Sequence, residues 1–519
     1  MELKLNESDL QAIIQSVLKN IEGQQPAPIK LKTIVPATAK EPAAYPLIPP
    51  KNPIRPYALN RLETEPETKK WSGVFDSMQD AITSADMAQK AYGKNFSKPE
   101  REKLLQSIRQ EALANKEKLA RLVFEETKLG VLEHKIAKHE LAATKTPGTE
   151  DLRLEAFSSR QGSTLVETAP FGVIGAVTPV TNPTETVINN AISMLAGGNA
   201  VVFNVHPASA RSCRFAVDLL NNAIVKAGGI PNLVTMAKTP TKDTLEELIA
   251  SPKVKLLVGT GGPALGKKLQ SSGKKAIVAG AGNPPVVVDE TANLKQAAKD
   301  IIFGASFDNN LLCIAEKTVY ALDAIADELI FHLLNEGASM LDAKQLEQAM
   351  DLVLAANKDH VAQGCSMDRS RAYHPSKEWI GKSAPSILQA IGEKSTGKER
   401  LLIFEASQDH PFVQIEQMMP MLPIVRVKNL DEAIDLAVAS EHGNRHTAIM
   451  HSQNIANLNR FEAAIETTIF VKNASSLAGV GYESEGFGTM TIAGPTGEGL
   501  TSARTFVRSR RSVLVNGGD

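Results

Sequence analysis

The chain is poor in cysteine and lacks long apolar runs, an excess of either charge, and a basic leader. Cys213, Cys313 and Cys365 are its only cysteines, and no CxxC spacing occurs. That excludes a disulfide framework and a structural zinc site of the usual kind. The 57 Lys and Arg are balanced by 58 Asp and Glu, so no global basic field exists to hold a polyanion and nucleic acid is not an expected partner. No apolar stretch approaches the roughly 20 residues that span a bilayer. Nor does the N-terminus pair a basic segment with an apolar one. The expected compartment is a reducing cytoplasm, with no membrane contact.

What is present begins with "MELKLNESDLQAIIQSVLKNIEGQ", where Leu10, Ile13, Ile14, Val17, Leu18 and Ile21 recur at helical spacing. The spacing predicts an amphipathic helix within residues 1–24, capped by Ser8 and ended by Gly23. A proline-rich linker over 25–70 follows, unsuited to regular structure. Such a helix cannot bury its apolar stripe alone, so it either seeks a partner surface or folds back on its own body or oligomer.

From Trp71 two helical segments come first, with Pro99 placed to open the second. Short apolar segments then alternate with helical ones: "FGVIGAV", "NAVVFNV", "NLVTMA", "VKLLVGT" and "KKAIVAG". That alternation predicts right-handed βαβ units and a parallel sheet, which binds ligands at the carboxyl ends of its strands. A second α/β series starts after "PPVVVDETANLKQAAKD" and contains Cys313.

Several constellations can carry chemistry. Cys313 in "SFDNNLLCIAEK" is either a nucleophile or a small apolar filler. The glycines Gly261, Gly262 and Gly266 of "TGGPALG" either admit a phosphate to backbone N–H groups or simply make a turn. Asn182 in "TPVTNP" either presents an amide donor to a site or caps the helix that follows. Gly280, Gly282, Pro284 and Pro285 constrain the backbone between two strands. His442, His446 and His451 lack the cysteine and carboxylate company of a metal site, so no metal is expected; one of them acting as an acid or base fits better. Arg504, Arg508, Arg510 and Arg511 form a basic stretch that faces solvent, a second subunit or a phosphorylated ligand.

Together "TPVTNP", "TGGPALG", "GAGNPPVVVDETANL", "SFDNNLLCIAEK", "IEQMMPMLPIVRV", "GNRHTAIMHS" and "GPTGEGLTSARTFVRSRR", in this order, resemble the aldehyde dehydrogenase superfamily. More narrowly they resemble its coenzyme-A-acylating branch, the propionaldehyde and acetaldehyde dehydrogenases of bacterial microcompartments. The resemblance implies an α/β fold: a Rossmann-like domain for NAD and CoA over 71–152 and 172–282, a catalytic domain over 283–499, and a β-arm for oligomerisation over 153–171 and 500–519. A homodimer or homotetramer is expected.

By motif, Cys313 matches the family nucleophile, and Asn182 the side chain that holds the oxyanion with the Cys313 N–H. The implied cofactor cleft comprises Thr178, Pro179, His206, Pro207, Thr260, Gly261, Gly262, Gly266 and Gly280, with Glu416 at the nicotinamide ribose. Gly262 stands where hydrolytic relatives usually carry serine.

The main departure is Ala279, which falls where hydrolytic relatives place a glutamate that activates water. Without that base a thioester on Cys313 should resist water and wait for a second thiol, giving an acyl-CoA. His446 is the candidate to take that thiol's proton. NAD and coenzyme A are the implied cofactors, and a short aliphatic aldehyde, propionaldehyde over acetaldehyde, the implied substrate. A hydrolytic enzyme making the free acid and a non-catalytic assembly protein are the competing readings. The resemblance also gives residues 1–24 a partner, a microcompartment shell protein, and places the enzyme inside that compartment.

Overall fold

The computed structural model describes residues 70–356 and 373–515. The helix expected over 1–24, all but the last residue of the linker expected over 25–70, Cys365 and the last four residues of the arm lie outside the described residues.

Each apolar segment singled out in the sequence becomes a strand of one six-stranded parallel sheet. Its order is Val74–Phe75, Val234–Ala237, Ala200–Asn204, Val173–Val177, Val254–Thr260, Lys275–Ala279. The strands Val173–Val177 and Ala200–Asn204 are buried at every residue, because helices cover both faces of a parallel sheet; hence apolar runs rather than alternation. Val173–Val177 lies between the strand that follows it in the chain and Val254–Thr260. The order reverses there, and a crevice opens beyond the strand ends.

The preceding helices brace this sheet. Helix Lys98–Ala114 starts as the sequence suggests, with Pro99 in its first turn and Ser97 exchanging hydrogen bonds with Glu100. Buried Leu104, Leu105 and Ile108 form its inner face.

A second sheet has seven parallel strands in the order Ala338–Met340, Leu401–Glu405, Met421–Val427, Thr318–Leu322, Pro285–Val288, Thr447–His451, Ile469–Lys472. Both faces are covered: Val286 and Val288 enter one apolar cluster with Ile301 and Ile424, and Val287 enters another with Tyr320 and Phe461. The "GAGNP" stretch connects the two sheets, from the edge strand of the first to an interior strand of the second. Asn283 fastens this connection, its Nδ2 donating to the carbonyls of Val413 at 2.9 Å and Ser440 at 2.8 Å.

The third sheet is antiparallel and lies apart from both cores. Strand Gly162–Pro170 pairs with Glu155–Ser159 on one side and with Val507–Val515 on the other. Phe157, Val513, Leu514 and Val515 are exposed on it. The basic stretch is partly neutralised within the chain: Arg510 pairs with Glu167 and Arg504 with Asp151. Among the described residues, no helix is long and apolar enough to cross a membrane.

Candidate active site

Helix Leu294–Ser306 ends in a tight turn that aims Cys313. Asp308, Asn309 and Asn310 are all left-handed, with φ of 49°, 55° and 63°. Such a run is tolerable for Asp and Asn, whose short polar side chains bond locally. Asp308 Oδ1 accepts from the Val131 N–H at 2.8 Å. Asn309 Nδ2 donates to the Gly381 carbonyl at 2.8 Å, and Asn310 Nδ2 to those of Ala305 and Glu316 at 2.8 and 3.1 Å. Gly130 makes room, since a Cβ there would stand 2.0 Å from Asp308 Oδ1. This polar cluster is the mount of the cysteine.

Cys313 opens on two cavities. One, of about 260 Å³, lies beyond the carboxyl ends of the first sheet. The other, of about 30 Å³, is apolar, with Leu141, Phe307, Leu312, Leu477, Val480 and Ile492 in its wall. Asn182 lines both, as Cys313 does.

The larger cleft gathers Pro179, His206, Thr260, Gly261, Gly262, Gly280 and Glu416, together with Ala279. Gly262 precedes the helix Pro263–Gln270, and a Cβ on it would meet nothing within 4 Å. The helix start and the open Gly262 therefore suit an anionic ligand approaching the backbone. Thr178 is buried behind this wall with its Oγ1 unpartnered. Pro207 is exposed at the start of a short 3₁₀ turn, outside the lining. Gly266 also lies outside it: a Cβ there would be 2.8 Å from Val278 Cγ1, so a glycine here permits close helix-to-strand packing.

The three histidines separate. His442 ends helix Leu430–Glu441 in a left-handed cap, and His451 closes the strand that His446 precedes. Among the described residues no group of three or more metal-ligating side chains assembles. His446 is buried and lines neither cavity; its Nδ1 pairs with Thr447 Oγ1 at 2.9 Å while Nε2 has no partner. It sits one layer behind the nucleophile. Gly282 lies between, with its Cβ position 3.1 Å from the imidazole and 2.3 Å from the Cys313 carbonyl oxygen.

Burial dominates the electrostatics. It pushes the Cys313 thiol up to about 12, helped by the Glu416 carboxylate and opposed by the Lys317 ammonium and the N–H groups of Cys313 and Ile314. Lys317 falls to about 8 through burial, against the pull of Glu416 and Cys313. Its Nζ donates to the Asn310 carbonyl at 3.0 Å, tying it to the cysteine turn. Burial raises Glu416, while Lys317 and the Gly282 N–H hold it down. His446 drops to about 4 by burial and by Lys317, so its imidazole is neutral at physiological pH. Cys213 is the filler among the cysteines: burial raises its thiol far above the ordinary range, and it lines neither cavity.

Asn182 stands at the N-cap of helix Pro183–Ala196, yet its side chain makes no capping bond. Its Oδ1 instead accepts from Lys138 Nζ at 2.7 Å. Nδ2 is left with one neighbour, Thr181 Oγ1, at 3.5 Å. Lys138 also lies 2.6 Å from Asp308 Oδ2 and 3.4 Å from Glu185 Oε1, and Lys135 is 3.1 Å from the same Asp308 oxygen. All four charges are buried. Sequence reading missed this cluster. Lys135 and Lys138 look like a solvated helix face, and their partner Asp308 is remote in the chain; the one available signal was two lysines on a face that Leu141 and Ala142 continue as apolar.

The model of the aldehyde dehydrogenase family matches residues 72–492. The chain is 45% identical over 447 residues to the acetaldehyde dehydrogenase (acetylating) of Bilophila wadsworthia, which covers 86% of this chain and 90% of that one. It is similar in structure to a propionaldehyde dehydrogenase from the Clostridium phytofermentans fucose utilisation bacterial microcompartment, with a TM-score of 0.81 and 46% identity over 86% of this chain and 98% of that one. The Rhodopseudomonas palustris propionaldehyde dehydrogenase, solved with bound CoA and an acylated cysteine, has a TM-score of 0.80 and 48% identity over 85% of this chain and 98% of that one.

Proposed function

The chain belongs to the aldehyde dehydrogenase family, and from that premise we propose that it is an NAD-dependent, CoA-acylating dehydrogenase of short aliphatic aldehydes. One observation carries the acylating reading over the hydrolytic one. Ala279 lines the same cleft as Cys313, and the only carboxylate in that lining is Glu416, which Lys317 and the Gly282 N–H engage.

Cys313 Sγ attacks the aldehyde carbonyl carbon from the floor of the apolar cavity. The developing oxyanion is held by Asn182 Nδ2 and the Cys313 N–H, donors fixed before the charge appears. NAD, when bound, supplies the hydride acceptor; Pro179, His206, Gly261 and Gly262 would line its site and Glu416 would face its ribose. Loss of hydride and proton leaves a thioester on Cys313. No side chain at 279 can activate water, so the acyl group passes to the CoA thiol and Cys313 regains a proton. His446, buried one layer behind Cys313 and lining neither cavity, takes up the proton of that thiol by relay rather than by direct contact; its neutral imidazole and unpartnered Nε2 support the role.

The small apolar cavity supports an aldehyde of a few carbons. Relatives are named for acetaldehyde and for propionaldehyde, and propionaldehyde is our reading here. The exposed apolar residues of the antiparallel arm support a homo-oligomer, dimer or tetramer. The amphipathic pattern of residues 1–24 and the microcompartment origin of one structural relative support docking on a shell protein and residence inside such a compartment.

The test is NAD⁺ reduction across C2–C5 aldehydes with and without CoA. Steady turnover should require CoA and yield the acyl-CoA, and Cys313→Ala should abolish it. Equal turnover without CoA, giving free acid, would overturn the proposal.

A further inference from the structure

The ammonium of Lys138 binds the two halves of the acylating centre together. On one side it donates to Asn182 Oδ1 at 2.7 Å, and on the other it lies 2.6 Å from Asp308 Oδ2, in the turn that mounts Cys313. It also lines the apolar cavity together with Asn182 and Cys313 and is itself 1% exposed. An ammonium has donors only, so the amide facing it must present oxygen. That fixes which end of Asn182 is left over: Nδ2, with a single marginal neighbour at 3.5 Å. The cluster can hold this charge because Lys138 faces two buried carboxylates, Asp308 and Glu185, with Lys135 sharing Asp308. A buried ammonium so paired persists as an ion.

We infer that Lys138 is the positioning residue of the oxyanion site: it locks the Asn182 amide with Nδ2 toward the carbonyl that Cys313 attacks, and polarises that donor through Oδ1. The inference rests on the reading that Asn182 holds the oxyanion. Electron withdrawal at Oδ1 leaves the N–H more positive, which matters most when charge develops on the substrate oxygen and little when neutral aldehyde binds. Lys138 thus acts on the acylation step rather than on substrate affinity, and it does so without touching the reacting atoms.

The experiment is a single-turnover NADH burst with propionaldehyde and NAD⁺, CoA omitted, on the full chain. Wild type, K138M, N182A and the double variant are compared. Loss of one oxyanion donor costs on the order of 10²–10³ in rate, so N182A should fall by about that factor and K138M by roughly 10-fold or more. The aldehyde concentration at half-maximal burst should change little in K138M. The double variant should be no slower than N182A alone, because Lys138 has nothing left to orient. Alkylation of Cys313 by iodoacetamide, which forms no oxyanion, should keep its rate in K138M. K138Q provides a second route if K138M folds poorly: it can donate to Oδ1 without charge and should give an intermediate burst.

Losses that multiply in the double variant, or alkylation slowed in parallel with the burst, would overturn the inference in favour of a structural lysine. A K138Q burst equal to wild type would overturn the polarising role. An N182A burst equal to wild type would remove the oxyanion reading beneath it, while CoA-dependent turnover would still stand.

Discussion

A Cβ on Gly282 would stand 2.3 Å from the carbonyl oxygen of Cys313 and 3.1 Å from the ring of His446. The first neighbour is backbone and cannot swing aside. Gly282 is absent from the residues with positive φ, so alanine would suit the backbone and act only through the clash. The displaced group is the peptide of the nucleophile. A misplacement of about 1 Å can cost ~10²-fold in rate, whereas overpacking costs ~1–3 kcal/mol of stability. Gly282→Ala should therefore lower the NADH burst by about two orders of magnitude while thermal melting still shows a cooperative fold. A burst within a few-fold of wild type would show that the connection yields freely.

Residues 1–24 carry Leu10, Ile13, Ile14, Val17, Leu18 and Ile21 at the spacing that predicts an apolar helical stripe, and none of the candidate catalytic residues. Their removal should leave soluble CoA-dependent activity near wild type and abolish co-sedimentation with shells. Replacing Ile14 and Leu18 together by glutamate in the intact chain should do the same, since charge on the stripe opposes burial. Unchanged co-sedimentation would exclude the docking role.

The parallel sheets were legible because their strands are buried on both faces, so "VIGAV" and "AVVFN" appear as unbroken apolar runs between helical segments. The cleft was legible for a similar reason: strand ends followed by glycine or proline mark where such sheets bind ligands, and Pro179, Gly261 and Gly280 come together there. Asn182 was ambiguous. Cap position and site position coincide in sequence, and only the bond to Lys138 separates them. Lys138 itself was marked only by its place on an otherwise apolar helix face, because burial of a charge depends on partners that folding supplies from Asp308 and Glu185. Gly266 lies outside the cleft lining, and the close approach of its helix to Val278 is a demand for glycine that loop composition cannot distinguish from ligand approach.

His446 offers a pH signature. Burial lowers its pKa to about 4, so the imidazole is free to accept a proton above that value and loses the capacity as pH falls through it. With this base, transfer of the acyl group to CoA should be nearly flat between pH 5 and 8. His446→Gln should leave the NADH burst close to wild type but slow transfer to CoA by roughly 10²-fold. The residual transfer should then climb with pH toward the thiol's own pKa of about 8.5, because thiolate becomes the attacking species. Rapid-mixing measurement of the two half-reactions separates these outcomes; a burst slowed as much as the transfer would make His446 a structural neighbour of Gly282.

Ala279 ends the strand Lys275–Ala279 and lines the cleft that Cys313 enters. If thioester fate is set by the missing base, supplying one should redirect it. Ala279→Glu should form NADH and free acid with CoA omitted, at a rate raised by ~10-fold or more, part of the roughly 10²–10⁴ that a fully positioned base provides. Size alone has to be separated from basicity, and Ala279→Gln does so: it fills similar space but cannot take a proton from water, so its CoA-free turnover should remain at the wild-type level. Product analysis matters more than NADH here, since a burst occurs in every variant that acylates. Were the glutamate and glutamine variants to hydrolyse equally, access of water rather than its activation would control the thioester, and the acylating habit of this chain would reside in the walls of the cleft instead of in residue 279.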